Sequence, residues 1–406
     1  MNIRTLTYFV DPSFPVIADR IAAAGKVLSS MKSALKDAGY SVQMLRLAST
    51  PFPQVVGGDA ARVVAFAQDL EAACFVNEID YAALGPARPH DPPELCAAIP
   101  DAIGATQNVM ASVVIADPLT GVSLPAVRQA AQVIQRCSTL SPDGLGSSRF
   151  GALANVPAGS PFFPAAYHDG HTPVVSIGVE AADLAVSAFD RAATLAEART
   201  QLVHAIEAEA QKVSQIAKKV GGVRGLQFGG IDFSLAPYPE ATRSIGAALE
   251  RLSGGKVGEH GSLAAAAFIA DALGRARFKN VGFSGLFLPV FEDSVLAARA
   301  AEGVLTTNDL LLYSSVCGAG LDMVPLPGDM TVEALAAILV DVGALALRLN
   351  KPLTARLMPI PGKKAGDEVK LDFPYFAPTH VLAPRASALG GLFAGNEAFD
   401  LAPRSR

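Results

Sequence analysis

The sequence predicts an α/β fold built on a largely parallel sheet or barrel with helices packed over it. Three observations predict it. β-rich runs alternate with helix-period runs from one end of the chain to the other, many of the β-rich runs are apolar almost throughout, and no low-complexity linker breaks the alternation. Half of the 406 residues are hydrophobic, enough to bury a large core.

Taken in order, Ile3 to Val10 reads as a strand and Val16 to Lys36 as a helix with Ile17, Ile21, Val27 and Leu28 on one side. Tyr40 to Leu47 is the next strand, and Asp59 to Ala73 a helix burying Val63, Val64, Phe66 and Leu70. A strand at Asn108 to Ile115, a helix from Pro125 to Cys137 and strands at Phe150 to Ala154 and Pro173 to Val179 follow. Asp190 to Val220 is helical, as one helix or two, with acidic residues early, Lys218 and Lys219 late, and Gly221-Gly222 closing it, the order the helix dipole favours. Leu226 to Ser234, Val281 to Val290 and Leu353 to Ile360 read as three further buried strands. Pro86 to Pro93 is the one candidate hinge, and the chain is read as a single domain over residues 1–406.

Composition excludes several functions. Lys and Arg number 33 against 38 Asp and Glu and form no runs, so the counterion release that drives nucleic-acid binding has no source. The first residues lack the pattern of a secretory signal, and the apolar helical stretches Leu263 to Leu273 and Leu335 to Leu347 are broken by Asp271 and Asp341. A cytoplasmic protein with neither a nucleic-acid nor a membrane partner is expected. The four cysteines lie far apart with no CxxC pair, which argues against a disulfide framework and a zinc knuckle.

Two familiar signals fail. Gly144 to Arg149 lacks the third glycine of a dinucleotide fingerprint, and Pro361 to Asp367 has a Gly-Lys pair without the rest of a phosphate loop. The second is expected to be a turn in which Lys363 is the anion-holding candidate. His168 and His171 flank Asp169-Gly170, a polar loop with no third metal ligand near it in sequence.

Polar groups at the ends of apolar strands are stronger candidates, because parallel α/β folds place their chemistry there. Asn155 follows one such run, Asp232 another, and Glu292 and Asp293 a third. Asp293 also fits as the cap of a helix starting at Ser294. With Asp322, these carboxylates suit acid–base work or a divalent cation. Tyr313 to Asp329 places Cys317 among glycines and prolines, between two helical patterns. Glycines there let backbone come close to something.

Cys317-Gly318-Ala319-Gly320-Leu321-Asp322, Pro327-Gly328-Asp329 and Pro359 to Asp367 together resemble the signature of uncharacterised protein family zero-two-one-zero, also called domain of unknown function seven-one-one. The likeness extends to Gly282 to Gly285 with Glu292-Asp293, to Ile231 to Pro237, and to Asn155-Val156-Pro157 with Pro161-Phe162 and His168. The resemblance implies a fold similar to glycyl radical enzymes such as pyruvate formate-lyase. That fold is a ten-stranded barrel of two antiparallel five-stranded parallel halves, with outer helices and a central finger loop bearing the reactive cysteine. Cys317 would then sit at the loop tip. The segment Ala388 to Gly395 departs from the motif that bears the glycyl radical, so no radical is expected. Met110 stands where many relatives have a cysteine.

The function expected is that of a small-molecule enzyme of lyase or hydrolase type acting on a small polar metabolite. Cys317, His168, Asp232 and Asp322 are the catalytic candidates, and Asn155, Ser234, Ser284, Arg356 and Lys363 the substrate-binding ones. The alternatives are a divalent-metal enzyme with Glu292 and Asp293 as ligands, and a non-catalytic metabolite-binding protein. Homo-oligomerisation is left open.

Overall fold

In the computed structural model, which describes residues 1–223 and 225–404, the chain forms a mixed α/β structure around one large sheet. Its strands are β1 (Asn2–Phe9), β2 (Val42–Ala48), β3 (Tyr81–Ala87), β4 (Val109–Asp117), β5 (Gly121–Ser123), β6 (Phe150–Ala154), β7 (Val174–Glu180), β8 (Gln227–Ala236), β9 (Gly320–Pro327), β10 (Leu353–Ile360) and β13 (Ala398–Phe399). A separate short pair joins β11 (Glu368–Val369) to β12 (Thr379–His380). The main path runs β8-β7-β1-β2-β3-β4-β6-β10-β9. β1, β2, β3, β4 and β6 are mutually parallel. A parallel pair flanks them on each side, β7 with β8 and β10 with β9, and each pair meets the central five antiparallel.

The helices cover one face of this sheet and share its main core, where Ile3, Leu6, Ile115, Leu335 and Leu339 are fully buried. Both ends of the nine-strand path reach the same segment, residues 279–291. On the β8 side, Val281 N donates to Ile231 O (3.1 Å) and Phe287 N to Ser234 O (3.1 Å). Just before β9, a Cβ added to Gly318 would lie 2.8 Å from the Gly285 Cα. Nine strands about 4.8 Å apart would span nearly 40 Å if flat, so the sheet must curl to bring its ends to one segment. The face away from the helices is therefore an inner one.

The strand expected at Val281 to Val290 is irregular, tied to β8 by the Ile231–Asn280 bridge and the bonds just named. Gly282, Ser284 and Pro289 break its regularity, and Ser284 takes a left-handed φ of 39°. The proline-rich stretch at Pro86 is not a hinge: Pro86 lies in β3, and Pro93 opens the helix Pro93–Gly104. The helical run from Asp190 divides into Ala182–Arg191 and Leu195–Val223. Among the described residues, no helix is long and apolar enough to cross a membrane.

The finger-loop assignment changes most. The stretch around Cys317 is a turn leading into β9, whose prolines 325 and 327 sit in a strand at the end of the path, where missing amide donors are tolerated. The loop that does enter the inner face is 155–168, between β6 and β7. Pro161 O accepts from Thr7 Oγ1 (2.8 Å), Phe162 meets Phe287 at a ring-centroid distance of 4.7 Å, and Phe163 packs with Phe9, Ala48 and Ala83. Its apolar sequence, Pro161-Phe162-Phe163-Pro164-Ala165-Ala166, fits a loop surrounded by protein.

Candidate functional site

Beyond the tip of that loop, charged side chains collect on the inner face. Arg4 from β1 pairs with Glu292 and with Glu180 (3.4 Å) from β7. Arg356 from β10 holds Asp322 at 2.7 Å and Glu292 at 3.4 Å. Arg243 pairs with Glu180, and Gln43 Nε2 donates to the same carboxylate at 2.5 Å. A bulge between β9 and β10 turns both Asp322 and Met323 inward, Asp322 to Arg356 and Met323 to Phe291 and Met358. Tyr375 closes one side, its ring 5.2 Å from the Arg4 guanidinium carbon, with Tyr238 and Phe373 against it.

Among the described residues, Arg46 differs from its neighbours in forming no ion pair with a carboxylate. It is 7 % exposed, and among the described residues its Nε has no hydrogen-bond partner, while Nη2 donates to the Met44 sulfur at 3.1 Å. The guanidinium lies over the Phe163 ring at 5.0 Å and near Tyr81 at 6.0 Å. Burial first, then the charge of Arg4, pushes Arg46 down to about 9, so it stays charged at neutral pH. Four guanidiniums (Arg4, Arg46, Arg243, Arg356) thus face three carboxylates (Glu180, Glu292, Asp322).

Asp232 anchors a second polar knot on the same face. Its Oδ2 accepts from Phe283 N (2.7 Å), and its Oδ1 accepts from Ser284 N (2.9 Å) and from the Ser234 hydroxyl. Ser234 Oγ in turn accepts from Gly285 N at 3.3 Å. Gly282 has a φ of +71°, and any Cβ there would collide with Asp232 Oδ2 and stand 2.9 Å from Ser160 Oγ of the inserted loop. Burial pushes Asp232 up to about 6, against the Ser234 hydroxyl and the Phe283 and Ser284 amides.

The structure therefore brings Asp232, Ser234 and Ser284 together, and Asp322, Arg356 and Glu292 together. It places the others elsewhere. Cys317 is 1 % exposed within the main core. The glycine after it is needed because Gly285 backbone crosses there. His168 is buried at the base of the inserted loop, its amide donating to Ser49 O (2.9 Å) and its Nε2 3.0 Å from His171 O. Asn155 lines a cleft of about 410 Å³ with Arg88, Asp117 and Tyr167, at the carboxyl ends of the parallel strands. Lys363 is exposed on the turn after β10, where its carbonyl accepts from Gly328 N.

The proposed metal ligands have other partners. Asp293 accepts from Ser244 Oγ (2.6 Å) and from the amides of Gly246, Val295 and Leu296, capping the helix Ser294–Ala301. Glu292 is held by two arginines, which compete with any cation for its oxygens. Among the described residues no group of three or more His, Cys, Asp or Glu is placed to hold a metal ion.

Reading the sequence missed Arg4, Arg46, Glu180 and Arg243. For Arg4 and Arg46 a signal was present: each puts a charge inside a run read as a buried strand, where only a polar partner or ligand makes it tolerable. A cleft of about 830 Å³ lined by Phe75, Cys74, Tyr81 and Asn108 opens beside the start of β3, and its charged lining residues, Glu71, Glu78 and Asp80, are all acidic.

Fold and site together define a mixed α/β protein whose sheet carries a buried cluster of charges on its inner face. The chain belongs to the family described as Uncharacterised ACR (DUF711), which matches residues 1–372. It is similar to the UPF0210 protein of Pyrobaculum aerophilum, 34% identical over 396 residues and covering 90% of this chain and 87% of that protein. UPF0210 proteins of Acetivibrio thermocellus and of Listeria monocytogenes serotype 4a are each 32% identical, covering 82% and 87% of this chain and 78% and 80% of theirs.

Proposed function

We propose that the inner chamber binds a small organic anion and that the protein converts it by lyase or hydrolase chemistry. The observation that carries this reading is Arg46. A buried guanidinium without a carboxylate costs several kcal/mol, and it is retained where a ligand supplies the missing charge. The open edge of a guanidinium presents parallel N–H groups that suit a carboxylate. Asp232 is the proton-transfer group in this reading, because a carboxyl near 6 exchanges protons readily around neutral pH. Cys317 contributes to packing.

We further read segment 279–291 as the tenth strand position that completes a barrel, which its bonds to β8 and its crossing at Gly318 support. The 155–168 loop then holds the finger position within it. The experiment is calorimetric titration of the full chain with short carboxylates, followed by a turnover screen of those that bind. Binding that Arg46→Met abolishes supports the chamber. Binding unaltered by that change removes its basis, and binding without turnover replaces the enzyme reading with a metabolite-binding one.

A further inference from the structure

Three neighbouring parallel strands end at one cleft. β3 runs out at Ala87, β4 at Asp117 and β6 at Ala154, and the residues that follow them, Arg88, Pro118 and Asn155, line a single space of about 410 Å³. The crevice outside the carboxyl ends of parallel strands is where α/β sheets take their ligands.

The lining sorts by chemistry. Val114 and Val156, each 9 % exposed, give an apolar wall that continues into the inner-face cluster of Leu153 and Phe162. Arg88 and Asp117 carry opposite charges into the cleft, yet they form no ion pair with each other. Among the described residues the Arg88 guanidinium makes no hydrogen bond or ion pair, and its backbone N–H alone is engaged, donating to Asp91 Oδ2 at 2.7 Å. Asp117 Oδ1 accepts from the amides of Leu119 and Thr120, both at 2.8 Å, whereas Oδ2 accepts the Thr120 hydroxyl at 3.3 Å and keeps room for a second donor. Asn155, at a left-handed φ of 55°, donates through Nδ2 to Asn350 (3.4 Å) and through its amide to Ala116 O (2.8 Å), which leaves its Oδ1 an open acceptor. Both charges reach one point. Burial raises the Tyr167 hydroxyl, Arg88 lowers it and Asp117 raises it, and that hydroxyl is fixed on Val156 O at 2.9 Å.

Opposite charges that line one cleft without pairing are complemented by a ligand carrying both. A plain anion is repelled by Asp117 and a plain cation by Arg88. We propose that this cleft binds a small zwitterion, an aliphatic amino acid, with its carboxylate on Arg88, its ammonium on Asp117 and Asn155 Oδ1, and its side chain against Val114 and Val156. The guanidinium edge matches a carboxylate, and the three donors of an ammonium match the two open acceptors. None of these residues belongs to the Arg46 cluster, so the two readings stand or fall separately.

The test is calorimetric titration of the full chain at pH 7 with leucine, with 4-methylpentanoate, which lacks the ammonium, and with 3-methylbutylamine, which lacks the carboxylate. Leucine is expected to bind at least about tenfold more tightly than either, the effect of one charge-assisted hydrogen bond. Arg88→Met should weaken leucine about tenfold with an unchanged melting temperature. Asp117→Asn keeps an acceptor oxygen for the Leu119–Thr120 turn and removes the charge, so it should weaken leucine about tenfold while 4-methylpentanoate binds no more weakly than before. Absence of leucine binding, leucine no tighter than either analogue, or a leucine advantage that survives both substitutions overturns the proposal. Binding of 4-methylpentanoate alone, abolished by Arg46→Met, also overturns it and leaves the chamber reading standing.

Discussion

Replacing Arg46 with methionine is expected to make the protein more stable and unable to bind an acid. Burial pushes the Arg46 guanidinium well down, to about 9 in the folded chain, which at about 1.36 kcal/mol per pH unit is a cost of about 5 kcal/mol for keeping it charged. The sign follows from linkage. A cation whose folded value is lowered weakens the native state at every pH below the folded value, and the cost fades only as pH rises above about 9. Stacking on Phe163 and Tyr81 offsets about 2 kcal/mol of it, since cation–π contacts are strongest when desolvated. Methionine keeps an unbranched apolar stem beside Met44 and Phe163. The net gain is on the order of 3 kcal/mol, or about 3–4 °C in Tm for a chain of this size. Differential scanning calorimetry at pH 7 in acid-free buffer measures it, with propionate titration on the same samples. A Tm that falls by 2 °C or more, or an acid affinity that survives, would refute the reasoning that Arg46 is held uncompensated for a ligand.

Three further outcomes follow from the same geometry. Asp232 is raised from 3.8 to about 6, so its contribution to stability is fully present below about pH 4 and lost as pH rises through 6, about 3 kcal/mol in all; urea unfolding at pH 4.5 and 7.5 should show this loss in the parent chain and not in Asp232→Asn. Gly282→Ala places a Cβ against Asp232 Oδ2 at a left-handed φ and should cost about 3 kcal/mol or more, read as a lower urea midpoint; a midpoint within error of the parent contradicts the knot. Cys317 should alkylate as slowly as Cys74, Cys96 and Cys137, all of them buried, and Cys317→Ser should cost roughly 1–3 kcal/mol; rapid labelling by mass spectrometry would return the thiol to the reactive list.

The alternation of strands and helices was legible because it rests on local periodicity. Leu353 to Ile360 and Phe150 to Ala154 match β10 and β6 residue for residue. β3 went unread because Gly85 and Pro86 are punctuation marks in sequence, although a bulge between Ala83 and Pro86 accommodates them in the sheet. The Asp232 knot was half legible: Asp232, Ser234 and Ser284 stand near apolar strand ends, but nothing local says that Gly282 must be bare for the carboxylate to approach it. The inserted loop was misplaced for a related reason. Glycines around Cys317 do mark a close backbone approach, yet the partner is Gly285, about thirty residues away, and only three dimensions reveal which loop lies inside. The arginine chamber was illegible as a unit because Arg4, Glu180, Glu292 and Arg356 come from opposite ends of the chain.

That dispersal bears on how the protein is made. β1 is sandwiched between β2 and a strand from residues 174–180, and β6 takes its second neighbour from Leu353–Ala355. Pairings of such long sequence separation are slow to form, because the chain must lose loop entropy before the contacts repay it. During synthesis Arg4 and Arg46 emerge long before Glu292 and Arg356, so a nascent chain holds two inward arginines in water and an open sheet edge at β6. Refolding from urea should accordingly be slow and concentration-sensitive, with aggregation competing until the last strand docks.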